Sequence, residues 1–197
     1  MSTRKAQQSE ATRGDLIAVA RKLFAERGYA GTPTEEIVRE AGVTRGALYH
    51  HFKDKKDLFR AVAETVESEL GPMIMAKATP GADAWTFLVE ATGTFLDACL
   101  ERDVQQIILI DGPSVLGWEE WRAVEEKYGL ALVNAGLTRA MAEGFLEQQP
   151  VAPLARLLLA AVNEAGLVIA RSPDVKAARH EVGSSLTRLL EGLRKRP

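Results

Sequence analysis

Residues 28–59 constrain the fold more than any other part of this 197-residue chain. They read GYAGTPTEEIVREAGVTRGALYHHFKDKKDLF, and their caps and apolar spacing predict two short helices joined by a tight turn. Thr32 is expected to cap the first helix, with Pro33 at its first position and Glu35 closing a capping box. In the turn that follows, Gly42 supplies the backbone freedom that the end of a helix needs.

The second of these helices, predicted over residues 45–51, is short, basic and aromatic. Thr44 is its expected N-cap, because a threonine hydroxyl can accept a hydrogen bond from an amide of the first turn. Leu48 and Phe52 are expected to face the interior. In a helix-turn-helix protein the second helix enters the major groove of DNA with its N-terminal residues at the base edges. The pattern therefore predicts a helix-turn-helix over residues 33–52.

A tight corner between two helices is common, but the order of features here is more specific. An apolar helix is followed by Gly-Tyr, a threonine cap, Ala-Gly-Val-Thr, Leu-Tyr-His-His-Phe, Lys-x-Lys and Leu-Phe. In this order residues 12–66 resemble the N-terminal domain of the TetR family of one-component transcriptional regulators. The remaining two thirds are similar to that family only in their helical plan. The resemblance implies a bacterial-type cytoplasmic protein that binds double-stranded DNA as a homodimer and responds to a small-molecule effector.

The predicted DNA-binding residues are the outward side chains of the second helix and polar residues at the helix starts. Arg45 is the best candidate for a bidentate contact to guanine, and Thr44 can meet a phosphate together with the amides of the helix N-terminus. In the resembling family, a lysine that matches Lys55 contacts the DNA backbone. The full set is Thr32, Thr34, Thr44, Arg45, Gly46, Ala47, Tyr49, His50, His51 and Lys55.

Charge is distributed unevenly along the chain. Residues 1–60 carry 12 Lys and Arg against 8 Asp and Glu, a net charge of +4, whereas residues 61–197 carry 13 against 19, a net charge of −6. A basic end suits phosphate binding, and an acidic remainder suits a part that does not touch DNA. Arg4 and Lys5 offer a further groove or phosphate contact, beside the simpler interpretation of a frayed tail before residue 12.

Several classes of function are disfavoured by the residues present. The single cysteine, Cys99, has no intramolecular disulfide partner, which is typical of a reducing cytoplasm. No uninterrupted apolar run reaches the ~18 residues of a membrane span. His50 and His51 point about 100° apart on a helix, so no metal site is expected. No nucleophile with a base, phosphate-binding loop or acid pair indicates an enzyme, and no cofactor is expected.

The periodicity of apolar residues predicts an all-α protein of about nine helices. A three-helix helix-turn-helix DNA-binding domain over residues 10–70 is expected to precede a larger helical domain for ligand binding and dimerisation over residues 71–197. Pro72 is expected to kink or end the helix that Asp54 caps. Further helices are predicted at 12–27, 83–102, 104–110, 118–144, 153–171 and 173–194.

The last two predicted helices carry more apolar surface than one small body can bury. Residues 153–171 are apolar nearly all round, which predicts a central helix that is buried nearly all round. Both helices are expected to pair with their copies in a four-helix bundle, as the resemblance also implies. A two-fold dimer presents two reading helices to the half-sites of a palindrome. Packing within one chain is the alternative. The predicted interface residues are Leu158, Val162, Gly166, Ile169, Val182, Leu186, Leu189 and Leu193.

A small-molecule pocket is expected among the helices of the C-terminal domain, since the resembling family binds its effectors there. An apolar cavity with a few polar groups is what such a pocket requires. The same residues also fit an ordinary core, with Asn163 and Glu164 as a buried pair or a dimer contact. The candidate residues are Phe87, Leu88, Phe95, Ile108, Asp111, Trp118, Trp121, Tyr128, Asn163 and Glu164.

These features together predict a dimeric, sequence-specific DNA-binding regulator, a repressor released from a palindromic operator by a small-molecule ligand. The alternative is a helical regulator that acts by protein contact without specific DNA reading. The intact Thr44–His51 set and Lys55 favour the first interpretation. The identity of the effector and the operator sequence do not follow from the residues.

Overall fold

The computed structural model describes residues 2–195, with side chains from residue 6 onward. Over this range the chain is all-helical, as predicted, with ten α-helices and one π-helical segment. The α-helices are α1 Ser2–Arg27, α2 Thr34–Glu40, α3 Arg45–His51, α4 Lys55–Lys77, α5 Ala84–Ala98, α6 Gly112–Leu116, α7 Trp118–Lys127, α8 Gly129–Ala142, α9 Val151–Arg171 and α10 Val175–Glu191, and the π-helical segment is Val104–Asp111. The frayed tail expected before residue 12 is instead part of α1, and the side chains of Arg4 and Lys5 lie outside the described residues.

The chain divides into two compact units. The first unit comprises residues 2–66 and 102–121, and the second comprises residues 67–101 and 122–195. The division falls within α4, so that this helix contributes residues to both units. The functional boundary near residue 70 stays a prediction.

The core of the first unit forms where apolar stripes of α1 and α4 turn inward. Leu16, Ala20 and Phe24 recur at helical spacing along α1 and are fully buried, as the sequence predicts. The rings of Phe24, Tyr29 and Phe59 meet with centroids between 5.3 and 5.8 Å apart. Aromatic pairs at such distances contribute about 0.5–1.5 kcal/mol beyond their buried area. The cluster holds the start of α4 against the end of α1.

The turn between α2 and α3 has the geometry that its sequence predicts. The amide of Val43 bonds to the carbonyl of Val38 at 3.0 Å and that of Gly42 to Arg39 at 3.2 Å, the two hydrogen bonds of a Schellman motif. Gly42 has a φ of 67°, a conformation that glycine adopts without steric cost. Thr44 then caps α3, because its hydroxyl oxygen accepts from the amide of Ala47 at 3.1 Å.

The start of α2 differs from the prediction. Helix α2 begins at Thr34, one residue later than expected, and its N-cap is Pro33, which makes no side-chain capping bond. The Thr32 hydroxyl is fully buried and donates to the carbonyls of Gly28, at 2.8 Å, and Leu23, at 3.2 Å. The capping box was therefore wrong, because Thr32 satisfies the last carbonyls of α1 instead.

Helix α4 begins at the predicted cap and continues past Pro72, one of the two outcomes expected there. The Asp54 carboxylate accepts from the amide of Asp57 at 2.8 Å, and Asp57 accepts in turn from the amide of Lys53 at 3.0 Å. Pro72 lies inside the helix, which continues to Lys77. A proline has no amide hydrogen and removes one helical hydrogen bond, but the helix continues through this position.

Residues 102–121 form part of the first unit. The helix predicted over residues 104–110 is the π-helical segment, and it is followed directly by α6. Pro113 does not stop the chain from being helical, since it lies in the first turn of α6, where its missing amide costs nothing. Gly112 packs against the buried Trp121, and a Cβ on Gly112 would lie 2.7 Å from the indole. Gly117, with a φ of 80°, then turns the chain into α7.

The single helix predicted over residues 118–144 is two helices. Tyr128, with φ −116° and ψ −81°, is not helical and separates α7 from α8. The next residue, Gly129, lies close to Leu159, since a Cβ on Gly129 would be 3.4 Å from that side chain. The local sequence is compatible with an unbroken helix, and the break reflects packing against α9.

The core of the second unit lies among α5, α8, α9 and α10. The prediction that α9 is buried nearly all round was wrong for the single chain, because Leu157 and Val168 on that helix are 70% and 45% exposed. By length and apolar composition alone, α9 is also the one helix among the described residues that would span a membrane, and the core helix of a soluble protein passes the same test.

Candidate functional site

The outer face of α3 presents a compact set of polar groups to solvent. Thr44, Arg45, Gly46, Tyr49 and His50 are all exposed. A Cβ on Gly46 would meet only the Thr44 hydroxyl, at 3.8 Å, so the surface over this position is open to close approach. The Thr44 hydroxyl uses a lone pair on the Ala47 amide and keeps its proton to donate outward.

Arg45 is held loosely at the centre of this face. Its guanidinium lies 3.2 Å from a carboxylate oxygen of Glu35 and 5.6 Å from the centroid of the Tyr49 ring. Both members of the ion pair are largely exposed, and such pairs contribute only about 0–1 kcal/mol. The guanidinium is therefore oriented and remains available for another acceptor.

The other predicted residues of α2 and α3 are less accessible. Ala47 and His51 are half-buried, and the His51 ring lies 5.3 Å from that of His50 and 6.4 Å from that of Phe52. Thr34 is half-buried, with its hydroxyl 3.3 Å from a Glu35 oxygen.

Two of the predicted DNA-binding residues are turned away from the surface. Thr32 is fully buried, so it cannot reach a phosphate. The Lys55 ammonium donates to the carbonyl of Tyr29 and lies 4.1 Å from the centroid of that ring. Burial lowers the pKa of Lys55, and the Asp111 carboxylate opposes this. Lys53, which was not among the predicted residues, is exposed in the turn before α4.

Three acidic residues within residues 102–121 bind groups of α1, of the turn after α1 and of α4, all within the first unit. Asp103 accepts from the guanidinium Nε of Arg21 at 2.9 Å, and Asp111 accepts from the amide of Tyr29 at 2.7 Å. Glu120 accepts from both Lys56, at 2.9 Å, and Arg60, at 2.8 Å. These two cations lower the pKa of Glu120. We refer to Asp103, Asp111 and Glu120 as the acidic triad.

Several residues predicted to line a ligand pocket belong to the first unit and have other roles. Ile108 and Trp121 are buried core residues, and Asp111 is a member of the acidic triad. Trp118 is 71% exposed. In the second unit, Glu164 is exposed on α9 and does not line the cavity described next.

The second unit encloses a cavity of about 240 Å³ between α4, α5, α7, α8 and α9. Its wall is mostly apolar. It includes five of the ten residues predicted for a ligand pocket, namely Phe87, Leu88, Phe95, Tyr128 and Asn163.

Two carboxylates in the cavity wall were not predicted. Asn163 donates to the carboxylate of Glu125 at 2.8 Å. Burial, and then the charge of Glu125, raise the pKa of Glu67 to about 7. A signal for Glu67 exists in the sequence, because this acid follows Val66 and precedes Leu70 within the buried stripe of α4, where an ionisable residue is unusual.

The predicted dimer interface is mostly interior to the single chain. Leu158, Val162, Gly166, Ile169 and Leu186 are buried in the core of the second unit, and Val182 and Leu193 pack against the same core half-buried. The five buried residues contribute to the interior of the single chain, and the assignment of the set to a dimer interface stays a prediction. Leu189, at 65% exposure, is the most exposed member of the set, and Val182 and Leu193 keep part of their surface open.

Among the described residues, no group of three or more His, Cys, Asp and Glu side chains is arranged to hold a metal ion. Cys99 is buried, and burial raises the pKa of its thiol to about 12.

An exposed reading helix on a capped helix-turn-helix, followed by a helical body with an internal cavity, defines a one-component DNA-binding regulator. Comparison with known proteins identifies which kind. Residues 16–62 match the family model described as bacterial regulatory proteins of the tetR family, and residues 85–193 match the tetracyclin repressor-like C-terminal domain. The chain belongs to the TetR family of transcriptional regulators.

Individual relatives agree with this assignment. The chain is 30% identical over 138 residues to the Transposon Tn10 TetC protein of Escherichia coli, covering 70% of each chain. It is 44% identical over 73 residues to the HTH-type transcriptional regulator AcrR of Shigella flexneri, which is 37% of this chain and about a third of that protein, 34%. A TetR-family regulator structure from Pectobacterium atrosepticum is similar with a TM-score of 0.84 and 32% identity, covering 97% of this chain and 98% of the other. The family is one of transcriptional regulators, not enzymes.

Proposed function

We propose that the chain is a dimeric transcriptional repressor that reads a palindromic operator with α3 and is released by a small molecule bound in its second unit. The observation that carries this proposal is the exposed face of α3, where Arg45, Tyr49 and His50 surround an open glycine. An arginine with a loosely held guanidinium suits bidentate recognition of guanine in the major groove. The protein acts in the cytoplasm, at the nucleoid when bound.

Specific roles follow for the residues of this face. Arg45 reads a base, and Thr44 donates its hydroxyl proton to a phosphate beside the amides at the start of α3. Tyr49 and His50 reach phosphates or base edges, Gly46 admits the backbone, and Ala47 touches a thymine methyl. Thr34 and His51 are secondary contacts. Lys53 replaces Lys55 as the main phosphate contact before α4, and Thr32 makes none.

The second unit supplies the dimer. Leu157 and Val168 are eleven residues apart on α9, three helical turns, and so lie on the same side of that helix. We refer to these two residues and Leu189, which is exposed on α10, as the exposed apolar stripe, and we propose that a second copy buries them. We assign residues 10–70 to DNA binding and residues 71–197 to dimerisation and effector binding.

Helix α4 is the proposed route from effector to DNA. It carries Lys55 at one end and Glu67, Leu70 and Ile74 of the cavity wall further along. A ligand that favours one position of this helix biases the spacing of the two reading helices.

Selection of bound sites from random double-stranded DNA tests the proposal. The expected sites contain two inverted half-sites whose centres are about 10 base pairs, or a multiple, apart. Arg45→Ala is expected to cost about 1–3 kcal/mol on the selected site and to relax one base position in each half. Arg102→Ala, which removes an exposed arginine outside the helix-turn-helix, is the matched control and should bind as the wild type does. Sites without symmetry, or wild-type affinity and preference in Arg45→Ala, would refute the proposal.

A further inference from the structure

The cavity of the second unit has the size of a compact organic molecule. An engineered apolar cavity of roughly 150 Å³ holds one benzene molecule. The cavity here, at about 240 Å³, has room for a ring of that size with a short branched substituent. Phe87, Phe95 and Tyr128 contribute aromatic groups to its wall. The wall can therefore pack against the apolar part of a ligand.

The distinctive polar group in this wall is the carboxyl of Glu67. Glu67 is 8% exposed. Among the described residues, no hydrogen-bond donor or cation is paired with the Glu67 carboxyl. Every described side-chain nitrogen or oxygen that is sealed from solvent does have a hydrogen-bond partner. The Glu67 oxygens are therefore not sealed, and since the residue lines the cavity, they are accessible from it.

The charged surroundings of Glu67 do not neutralise it. Glu125, the other acid in the wall, adds a second negative charge nearby and accepts from Asn163. Lys127, the one basic residue in the described wall, has an exposed side chain whose ammonium lies 4.9 Å from the centroid of the Tyr128 ring. The Cys99 thiol is close enough for Glu67 to raise its pKa, to about 12 with burial as the main cause, so it stays protonated near neutral pH.

An ionised carboxylate without a partner is costly in an apolar environment, and a paired one is not. Burial raises the pKa of Glu67 to about 7, so the carboxyl is poised between its two forms near neutral pH. A ligand with a positive charge would favour the ionised form and form the missing pair. A ligand anion would meet two acids, and a neutral ligand would leave Glu67 as it is.

We propose that the cavity binds a compact organic cation, with an ammonium or amidinium group against Glu67 and an apolar, ring-sized body against the aromatic wall. Attraction between the cation and the ring faces adds to the ion pair. This inference rests on the proposed function, because it names the chemical class of the effector for the same cavity.

Three probes of matched shape test the charge of the ligand. Benzyltrimethylammonium carries a fixed positive charge, neopentylbenzene is its uncharged carbon isostere, and phenylacetate is an anion of similar size. Binding to the purified full-length protein is measured by titration calorimetry at pH 8, with the thermal midpoint of unfolding as a second readout. The cation is expected to bind at least about tenfold more tightly than either other probe, a difference that one partly desolvated ion pair can supply.

Two variants assign that preference to Glu67. Glu67→Gln keeps the shape and removes the charge, and it should abolish the tenfold preference. Glu69→Gln makes the same change at an exposed position of α4 and should preserve it. Because the probe has a fixed charge, its affinity for the wild type should rise about tenfold from pH 6 to pH 8 as Glu67 ionises, and should stay flat in Glu67→Gln.

Several results would overturn the proposal. Equal or tighter binding of neopentylbenzene or phenylacetate, an unchanged preference in Glu67→Gln, or no binding of any probe at millimolar concentration each does so. Failure of the proposed function is a separate outcome, since it is read from the selected DNA sites and needs no ligand. A protein that binds the cation but selects no operator would retain this ligand class and lose the assignment as a repressor.

Discussion

The acidic triad of the first unit and Glu67 of the second unit lie in opposite surroundings. In the first unit, Asp103 and Glu120 pair with basic side chains of α1 and α4, and Glu120 accepts hydrogen bonds from two of them. In the second unit, Glu67 faces a cavity with another acid nearby. Satisfied charges hold a frame in one arrangement, whereas an unsatisfied buried charge is an energetic cost that a ligand can remove. From this comparison we expect the first unit to keep one arrangement and the cavity of the second to respond to a ligand.

The units also differ in their apolar surfaces. Leu157 and Leu189 are exposed on the second unit at 70% and 65%. In the first unit, Phe24 and Phe59 are fully buried in the aromatic cluster, and the exposed face of α3 is polar apart from the ring of Tyr49. The first unit also exposes Trp118, at 71%, whereas the second exposes Leu157, Val168 and Leu189 on α9 and α10, the helices that we propose to pair with a second copy.

The largest expected effect comes from breaking the exposed apolar stripe of the second unit. Leu157→Glu places a charge in the proposed interface and is expected to give a monomer in sedimentation experiments. Operator affinity should then fall by about 10²–10⁴-fold, because binding at one half-site no longer raises the effective concentration of a second reading helix at the other. Met75→Glu, at another exposed apolar residue, is the control and should remain dimeric. A dimer of unchanged affinity in Leu157→Glu would move the interface elsewhere.

A smaller effect concerns the unsatisfied acid. The folded-state pKa of Glu67, about 7, lies above its ordinary value of 4.5, so its contribution to stability is complete below about pH 4.5 and is lost as the pH rises through 7. The unfolding free energy of the wild type, measured relative to that of Glu67→Gln, should therefore fall by about 3 kcal/mol between pH 4.5 and pH 8. Urea unfolding followed by circular dichroism measures this difference. An equal pH response in wild type and Glu67→Gln would show that Glu67 is not buried as described, and Glu69→Gln should behave as the wild type.

The smallest of the three effects tests the rigidity of the first unit. A Cβ on Gly112 would lie 2.7 Å from the Trp121 ring and 3.0 Å from the carbonyl oxygen of Ile107. Gly112→Ala is expected to destabilise the protein by about 2 kcal/mol, since neither a buried indole nor a backbone can easily move. Gly14→Ala, at a helical position with no atom near its Cβ, should stabilise by about 0.5–1 kcal/mol. If Gly112→Ala were as stable as Gly14→Ala, the first unit would be more adaptable than described.

Predictions that rest on neighbours within a few residues agree with the structure. Thr44 and Asp54 cap their helices, and Gly42 ends α2, because each makes its hydrogen bonds within five residues along the chain. The prediction failed for Thr32, whose hydroxyl bonds back to Gly28, four residues earlier, and to Leu23, nine residues earlier, instead of capping α2. It also missed that Lys55 donates to Tyr29, a group 26 residues earlier in the chain.

Apolar periodicity predicted which helices exist but not what each stripe would face. Leu158 and Val162 belong to a stripe that suits either a dimer or an interior, and the single chain buries it against α5 and α8. Tyr128 breaks what reads as one helix, because packing against α9 outweighs a modest local preference.

The sequence by itself determined the helical class, the helix-turn-helix and the reading face of α3, because caps, turns and short periodic stripes depend on residues close together in the chain. Only the tertiary structure decided the acidic triad, with partners 60 to 82 residues apart, and the cavity with Glu67 in its wall. Hydrogen-bond geometry over a few residues is encoded locally, whereas burial and the pairing of charges depend on which distant elements meet.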